Sequence, residues 1–163
     1  MHPLTVRPAR AADAGEIASI WNAMIRDTLF TFTDLEKTEA EVRDLIATRP
    51  SFLVASDTQL RGFVTYGTFR NGPGYAATGE HTIVLTEGAR GAGTGRALMT
   101  AMEAVAARRG IHVMMAGISA VNEGGLRFHA ALGYVEVGRL LEVGRKGGRW
   151  LDLVLMQKTL ARP

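Results

Sequence analysis

The sequence predicts a mixed α/β domain, one mixed sheet with helices packed on it. Three observations predict it. The segments read in the order β-α-α-β-β-β-α-β-α-β-β, which is not the strict alternation of a doubly wound sheet. Ile111 to Ile118 is a near-continuous apolar run, the pattern of a strand covered on both sides. Glycine-rich residues 88–95 lie between a β-branched apolar run and a helical apolar stripe. The 163 residues fit one domain, 1–163, with no repeat, linker or low-complexity segment to divide them.

Each element has a local cause. Leu4-Thr5-Val6-Arg7 alternates apolar and polar residues as a first strand does. Ala11 to Arg26 reads as a helix: Asp13 caps it, Glu16 follows three residues later, and Ile17, Ile20, Trp21, Met24 and Ile25 form its apolar stripe. Thr28 to Thr33 has no helical stripe and reads as a loop. Thr38 followed by Glu41 resembles a capping box, and Val42, Leu45 and Ile46 give a short second helix ending before Pro50. Phe52 to Ser56 and Leu60 to Phe69 read as a hairpin turning at Asp57-Thr58. Asn71-Gly72-Pro73-Gly74 is a loop. Thr82-Ile83-Val84-Leu85 reads as a strand, and Thr94 to Arg109 as a helix with Leu98, Met102, Val105 and Ala106 on one face. Asn122 to Leu132 reads as a helix that Gly133 stops. Val135 to Val143 and Trp150 to Met156 close the chain as strands, joined by the basic turn Gly144-Arg145-Lys146-Gly147-Gly148.

Composition excludes several function classes. Zero cysteine removes a disulfide scaffold, a cysteine nucleophile and any cysteine zinc site, and fits a reducing cytoplasm. No apolar run reaches the roughly 18 residues a membrane helix needs. Arg7, Arg10 and Asp13 break the N-terminal stretch before it could act as a secretory signal. The formal charge of +3 is unevenly spread: residues 1–60 hold six basic and nine acidic side chains, residues 61–163 thirteen and seven. The basic part also holds 18 of the 19 glycines, and it predicts an anionic partner.

Arg90-Gly91-Ala92-Gly93-Thr94-Gly95-Arg96 is the most informative stretch. Glycines there let backbone N–H groups approach a ligand, and the following helix N-terminus adds partial positive charge. Arg90 and Arg96 add full charges. The stretch is neither a P-loop, since no Gly-Lys-Ser/Thr occurs, nor a dinucleotide fingerprint, since it reads Gly-x-Gly-x-Gly.

Arg-x-x-Gly-x-Gly between strand and helix resembles the acetyl-CoA pyrophosphate loop of the GNAT N-acetyltransferases. Asn122, Gly125, His129 and Gly133-Tyr134 are similar to that family's second element. A narrower resemblance, to the phosphinothricin and methionine sulfoximine N-acetyltransferases, rests on Thr78-Gly79-Glu80-His81-Thr82, the loop around Arg70, and Gly144-Arg145-Lys146 through Gly148-Arg149-Trp150-Leu151-Asp152-Leu153-Val154. Gly79, Gly125 and the loop Arg70-Asn71-Gly72-Pro73-Gly74 depart from the family pattern. The resemblance implies a mixed, mostly antiparallel twisted sheet flanked by about four helices.

The resemblance also implies roles. Acetyl-CoA is the co-substrate, and no metal is needed. Ile83, Val84 and Leu85 lend backbone groups to the pantetheine arm; Arg90, Gly91, Ala92, Gly93, Thr94, Gly95 and Arg96 hold the pyrophosphate; Asn122 contacts CoA. Glu80 is the candidate base that takes the amine proton, placed just before an apolar strand. His129, where many relatives carry tyrosine, is the candidate acid for the departing thiolate or a contact to the acceptor. His81, on the opposite face from Glu80 if the segment is extended, orients substrate or packs structurally. Arg70, with Asn71 and Gly72, is the candidate anchor for an acceptor carboxylate or phosphinate. Thr82, Phe30 and Thr31, with Thr28 and Thr33, wall the acceptor pocket. Trp150 belongs to the core or to a homodimer interface. The acceptor expected is the amine of a small amino-acid analogue. The alternatives are another amine (a protein N-terminus, an antibiotic or a polyamine), a non-catalytic acyl-CoA sensor, and a nucleic-acid module. The last is disfavoured because only Trp150 accompanies the cluster of Arg139, Arg145, Lys146 and Arg149.

Overall fold

The computed structural model describes residues 3–160. Its strands are β1 (Thr5–Pro8), β2 (Ser51–Ser56), β3 (Leu60–Thr68), β4 (Thr78–Leu85), β5 (Val113–Ser119), β6 (Val135–Lys146) and β7 (Arg149–Thr159). Its helices are α1 (Ala14–Asp27), α2 (Glu39–Thr48), α3 (Thr94–Arg108) and α4 (Glu123–Ala131). One seven-stranded sheet runs β1-β2-β3-β4-β5-β7-β6, and β4–β5 is its parallel pair among antiparallel neighbours. The mixed sheet and its four helices are as the sequence predicts.

Strand alternation sorts the core into two layers. Leu53, Val64, Tyr66, Met114, Ala116 and Met156 pack under α3 through Leu98, Met99, Met102 and Ala106. Phe52, Val54, Phe63 and Val84, on the other face, pack under α1 and α2 through Ile17, Trp21, Ile25 and Val42. A side-chain period of two is what lets adjacent residues of one strand serve opposite layers. Thr38 and Glu41 form the expected capping box: the Thr38 hydroxyl accepts from the Glu41 N–H at 3.2 Å, and the Glu41 carboxylate accepts from the Thr38 N–H at 2.7 Å.

Four local expectations are corrected. The strand read from Thr82 starts at Thr78, because its four polar and small residues pair fully with β3, Thr68↔Gly79 through Thr65↔Thr82. Glu80 and His81 are thus inside β4, not before it. The basic turn shrinks to Gly147-Gly148, since Gly144, Arg145 and Lys146 pair with Leu151, Trp150 and Arg149. Asp13 does not cap α1. It closes a 3-10 turn at Ala11–Asp13, accepts from the Arg10 backbone N–H at 2.7 Å, and receives two bonds from Arg7 at 2.7 and 2.9 Å. Trp150 is not core: it is 58% exposed, with the Arg145 guanidinium 4.8 Å from its ring centroid.

Candidate active site

The sheet comes apart at one place. β4 and β5 pair over Thr78↔Val113, Gly79↔Met114 and Glu80↔Met115. Beyond that, β4 stays with β3 to Leu85 and β5 stays with β7 to Ser119. The two strands splay, and a cleft of about 1250 Å³ opens between them. Backbone N–H and C=O groups of β4 above Glu80 therefore lack a partner on the β5 side. They are free to pair with an extended ligand as a neighbouring strand would.

Ile83, Val84 and Leu85 line this cleft along β4. Arg90, Gly91, Gly93, Gly95 and Arg96 line its end at the N-terminus of α3. Gly91 and Gly93 have φ of +76° and +80°, the left-handed region that glycine alone enters freely, and no side chain stands within 4 Å of where their Cβ atoms would be. Gly95 serves close approach instead: a Cβ there would meet the Phe128 ring at 2.9 Å and Leu85 at 3.2 Å. Ala92 and Thr94 do not line the cleft, and Thr94 is buried beneath the loop. Asn122 lines it while capping α4, its side-chain oxygen accepting from the Gly125 N–H at 2.9 Å. Gly125 makes room for that amide, since a Cβ would sit 2.5 Å from the Asn122 nitrogen.

The reacting groups gather where the strands part. Glu80 and His81 are adjacent in β4 and so face opposite sides of the sheet. Glu80 does not line the cleft directly. Its Oε1 lies 3.1 Å from where a Cβ of Gly117 would be, and Gly117 does line it. Burial pushes the Glu80 carboxyl above the ordinary carboxylate range, and the nearby Arg49 guanidinium opposes that rise. Arg49 lies over Gly67, filling the space a side chain would take, and Gly67 is the cross-strand partner of Glu80. Cross-strand partners share a face, so Arg49 and Glu80 are side by side.

On the other face, His81 and His129 are 7% and 5% exposed, and both line the cleft. Their Nε2 atoms are 2.9 Å apart. Burial pushes His81 down to about 3, and burial also lowers His129. Tyr134 sets its ring edge-on to His129 at 5.3 Å between centroids, and its hydroxyl donates to Glu103 at 3.0 Å.

Thr28, Phe30, Thr31, Thr33 and Thr82 also line the cleft. Lys146 at the tip of β6 fixes the first of these segments by donating to the Ile25 and Thr28 carbonyls. Arg70, Asn71 and Gly72 are not brought to the cleft within one chain; the Arg70 guanidinium stacks over Tyr75 at 5.6 Å. Sequence reasoning missed Arg49, which lies over Gly67 beside Glu80, and Gly117 and Lys37, which line the cleft. Gly117 carried a signal: an isolated glycine inside an apolar strand marks a close backbone approach. Arg49 and Lys37 carried none. Among the described residues no group of three or more His, Cys, Asp or Glu side chains is placed to hold a metal, and no helix is long and apolar enough to cross a membrane.

The chain is matched along nearly its whole length by known proteins. Residues 6–155 match the family described as an acetyltransferase (GNAT) domain. The chain belongs to the GNAT acetyltransferases. This GNAT chain is 33% identical to the L-methionine sulfoximine/L-methionine sulfone acetyltransferase of Pseudomonas aeruginosa, over 96% of this chain and 94% of that protein. It is 32% identical to the phosphinothricin N-acetyltransferase of Streptomyces coelicolor, over 95% of each. A GNAT superfamily phosphinothricin acetyltransferase from Sinorhizobium meliloti, solved in complex with AcCoA, superposes with a TM-score of 0.91 at 30% identity, covering 97% of this chain and 89% of that one. The GNAT fold and enzyme class expected from Arg90 to Arg96 and from Asn122 to Tyr134 are thereby confirmed.

Proposed function

We propose that this acetyltransferase moves the acetyl group of acetyl-CoA directly onto the primary amine of a small amino-acid-like acceptor, of the phosphinothricin or methionine sulfoximine type. The observation that carries the reading is the split of the sheet at Glu80, with a carboxylate on one face and an imidazole pair on the other. The cofactor's pyrophosphate fits the Arg90–Arg96 cradle, where backbone N–H groups, the α3 N-terminus and two arginines converge. Its pantetheine arm fits beside Ile83–Leu85, whose outer edge β5 leaves unpaired. Acetyl-CoA supplies an activated thioester, and Glu80 takes a proton from the attacking amine. A β4 N–H at the split polarises the thioester carbonyl, and His129 gives a proton to the departing sulfur. Without cysteine the transfer has no cysteine-bound stage.

The Arg49–Glu80 pair refines the acceptor class. An α-amino acid presents an amine and a carboxylate a few ångströms apart, and this face of the sheet presents a carboxylate beside a guanidinium. Arg49 is therefore the carboxylate anchor in this reading, and Arg70 is its competitor. The reading also includes a cytoplasmic homodimer formed through the apolar outer face of β6.

Thiol release across an acceptor panel tests it. Methionine sulfoximine and phosphinothricin should lead a polyamine and an alanine-ended peptide by at least about tenfold in kcat/KM. A peptide or polyamine in the lead would overturn the acceptor class. Arg49→Gln should raise acceptor KM about tenfold with acetyl-CoA KM unchanged, and Arg70→Ala should not; the reverse result would move the anchor to Arg70.

A further inference from the structure

His81 and His129 are far apart in sequence and in hydrogen-bond contact in space, and the four ring nitrogens have partners that fix their protons. Nδ1 of His81 faces the Met115 carbonyl at 3.0 Å, and Nδ1 of His129 faces the Gly125 carbonyl at 2.7 Å. A carbonyl only accepts, so both Nδ1 atoms carry hydrogen. A neutral imidazole has one N–H. Both Nε2 atoms would then be bare lone pairs, facing each other at 2.9 Å. Moving a proton from either Nδ1 to Nε2 repairs that contact and sets a lone pair against a carbonyl oxygen instead. One more proton satisfies all three contacts at once.

We infer that the His81–His129 pair holds three ring protons, one of them shared between the two Nε2 atoms, and that this shared proton is the one delivered to the departing CoA thiolate. His129 is the donor, and His81 is the positioning residue that keeps the proton on it. The inference rests on the acetyl-transfer reading above only in its second half; the proton count belongs to the resting protein.

The three hydrogen-bond contacts hold the shared proton, and the surroundings make it ready to leave. Burial disfavours the charged pair on both rings. The Gly125 carbonyl and, more weakly, the negative charge of Glu103 on α3 favour protonated His129, though burial is the larger influence. Glu103 also accepts from Tyr134 at 3.0 Å and from Lys158 of β7 at 2.7 Å, so its charge is partly spent. Glu80 lies on the opposite face of β4. The two rings titrate as one unit whose values belong to the pair. The balance over a turnover closes. The amine nitrogen bonds the acetyl carbon and loses one proton to Glu80. The carbon–sulfur bond breaks with its electron pair on sulfur, and sulfur takes the shared proton. Glu80 then releases its proton to solvent, and the pair regains one.

Two measurements decide it. Histidine-ring 15N spectra of the acceptor-free enzyme at neutral pH, assigned with the His81→Gln and His129→Gln variants, should show three ring protons over the four nitrogens of the pair. Two ring protons would overturn the inference whatever the acceptor proves to be. In the second, glutamine at position 81 keeps a hydrogen-bonding amide of similar reach but cannot share a proton. His81→Gln should lower kcat about tenfold or more and move the basic limb of its pH profile to lower pH, with acetyl-CoA KM within about twofold of wild type. An unchanged basic limb would show that His81 merely packs, and would overturn its role. If no acceptor is turned over at all, the acetyl-transfer reading fails while the proton count still stands or falls on the spectra.

Discussion

Glu80 is the residue on which chemistry and stability pull in opposite directions. Its folded pKa is raised, chiefly by burial, with Arg49 acting the other way. A base must be deprotonated to work, so activity should rise with pH through that elevated value. Arg49→Gln removes the opposing charge and should carry the acid limb of kcat/KM to still higher pH; an unmoved limb would mean that Glu80 is not the titrating base. The same shift has a sign for folding. A carboxyl whose pKa is raised on folding favours the native state while protonated, and that benefit is lost as pH rises through the folded value. Ionised Glu80 therefore costs stability at neutral pH. Glu80→Gln should lower kcat about a hundredfold or more while leaving Tm equal to wild type or higher. Thiol-release kinetics and a thermal melt on the same sample check both halves, and retained turnover would place the base elsewhere. That Glu80 and His129 would lie at or beside the cleft was legible in the sequence through their motifs. The His81–His129 contact was not, because it joins residues 48 apart and is oriented by two backbone carbonyls.

At the scale of elements, the turn into α3 rests on backbone conformation more than on packing. Gly93 is the N-cap of α3 in a left-handed conformation, and no atom stands within 4 Å of where its Cβ would be. Any cost of a side chain there is conformational, about 1–2 kcal/mol. Gly88 is an ideal control: it has equally open space and no positive φ. Gly93→Ala should lose about 1–2 kcal/mol in urea melts and weaken acetyl-CoA binding measured by calorimetry. Gly88→Ala should be neutral or slightly stabilising, since alanine restricts the unfolded chain. Equal effects at the two positions would refute the conformational account. The element order was legible throughout because apolar stripes, capping pairs and glycine stops are local signals. Element ends were less so. Thr78 to His81 join β4, and Gly144 to Lys146 join β6, through pairing partners distant in sequence, which outweigh weak local β-propensity.

The whole molecule ends its sheet on a strand that exposes a row of large apolar side chains. β6 is the outermost strand, and it exposes Val135, Val137, Leu140, Leu141 and Val143, with Trp150 beside it on β7. Its pairing with β7 shifts register twice, between Glu136 and Gly138 and between Leu140 and Gly144, and in the second, a bulge, Glu142 takes a φ of 54° and donates its backbone N–H to Asp152 at 2.9 Å. The bulge turns Leu141 outward, to 70% exposure. An edge strand in a monomer is normally blunted with charges or proline. Here β6 exposes Glu136, Arg139, Glu142 and Arg145 among its apolar side chains, and both arginines are occupied, one paired with Asp152 and the other stacked on Trp150. The sequence placed Trp150 in the core or at a homodimer interface, and its exposure removes the core. A second copy of the chain is the occupant that matches an apolar strip by symmetry, since a two-fold axis sets the same patch against itself. The hairpin tip also reaches the acceptor side, where Lys146 holds the Thr28 carbonyl and Phe32 packs on Gly144, so pairing through β6 would stiffen the cleft wall. Sedimentation should accordingly give a dimer at micromolar concentration. Leu141→Glu should convert it to a folded monomer with unchanged acetyl-CoA affinity and a raised acceptor KM. A wild-type monomer at that concentration would refute the dimer, and a monomeric variant with unaltered acceptor KM would separate assembly from the cleft.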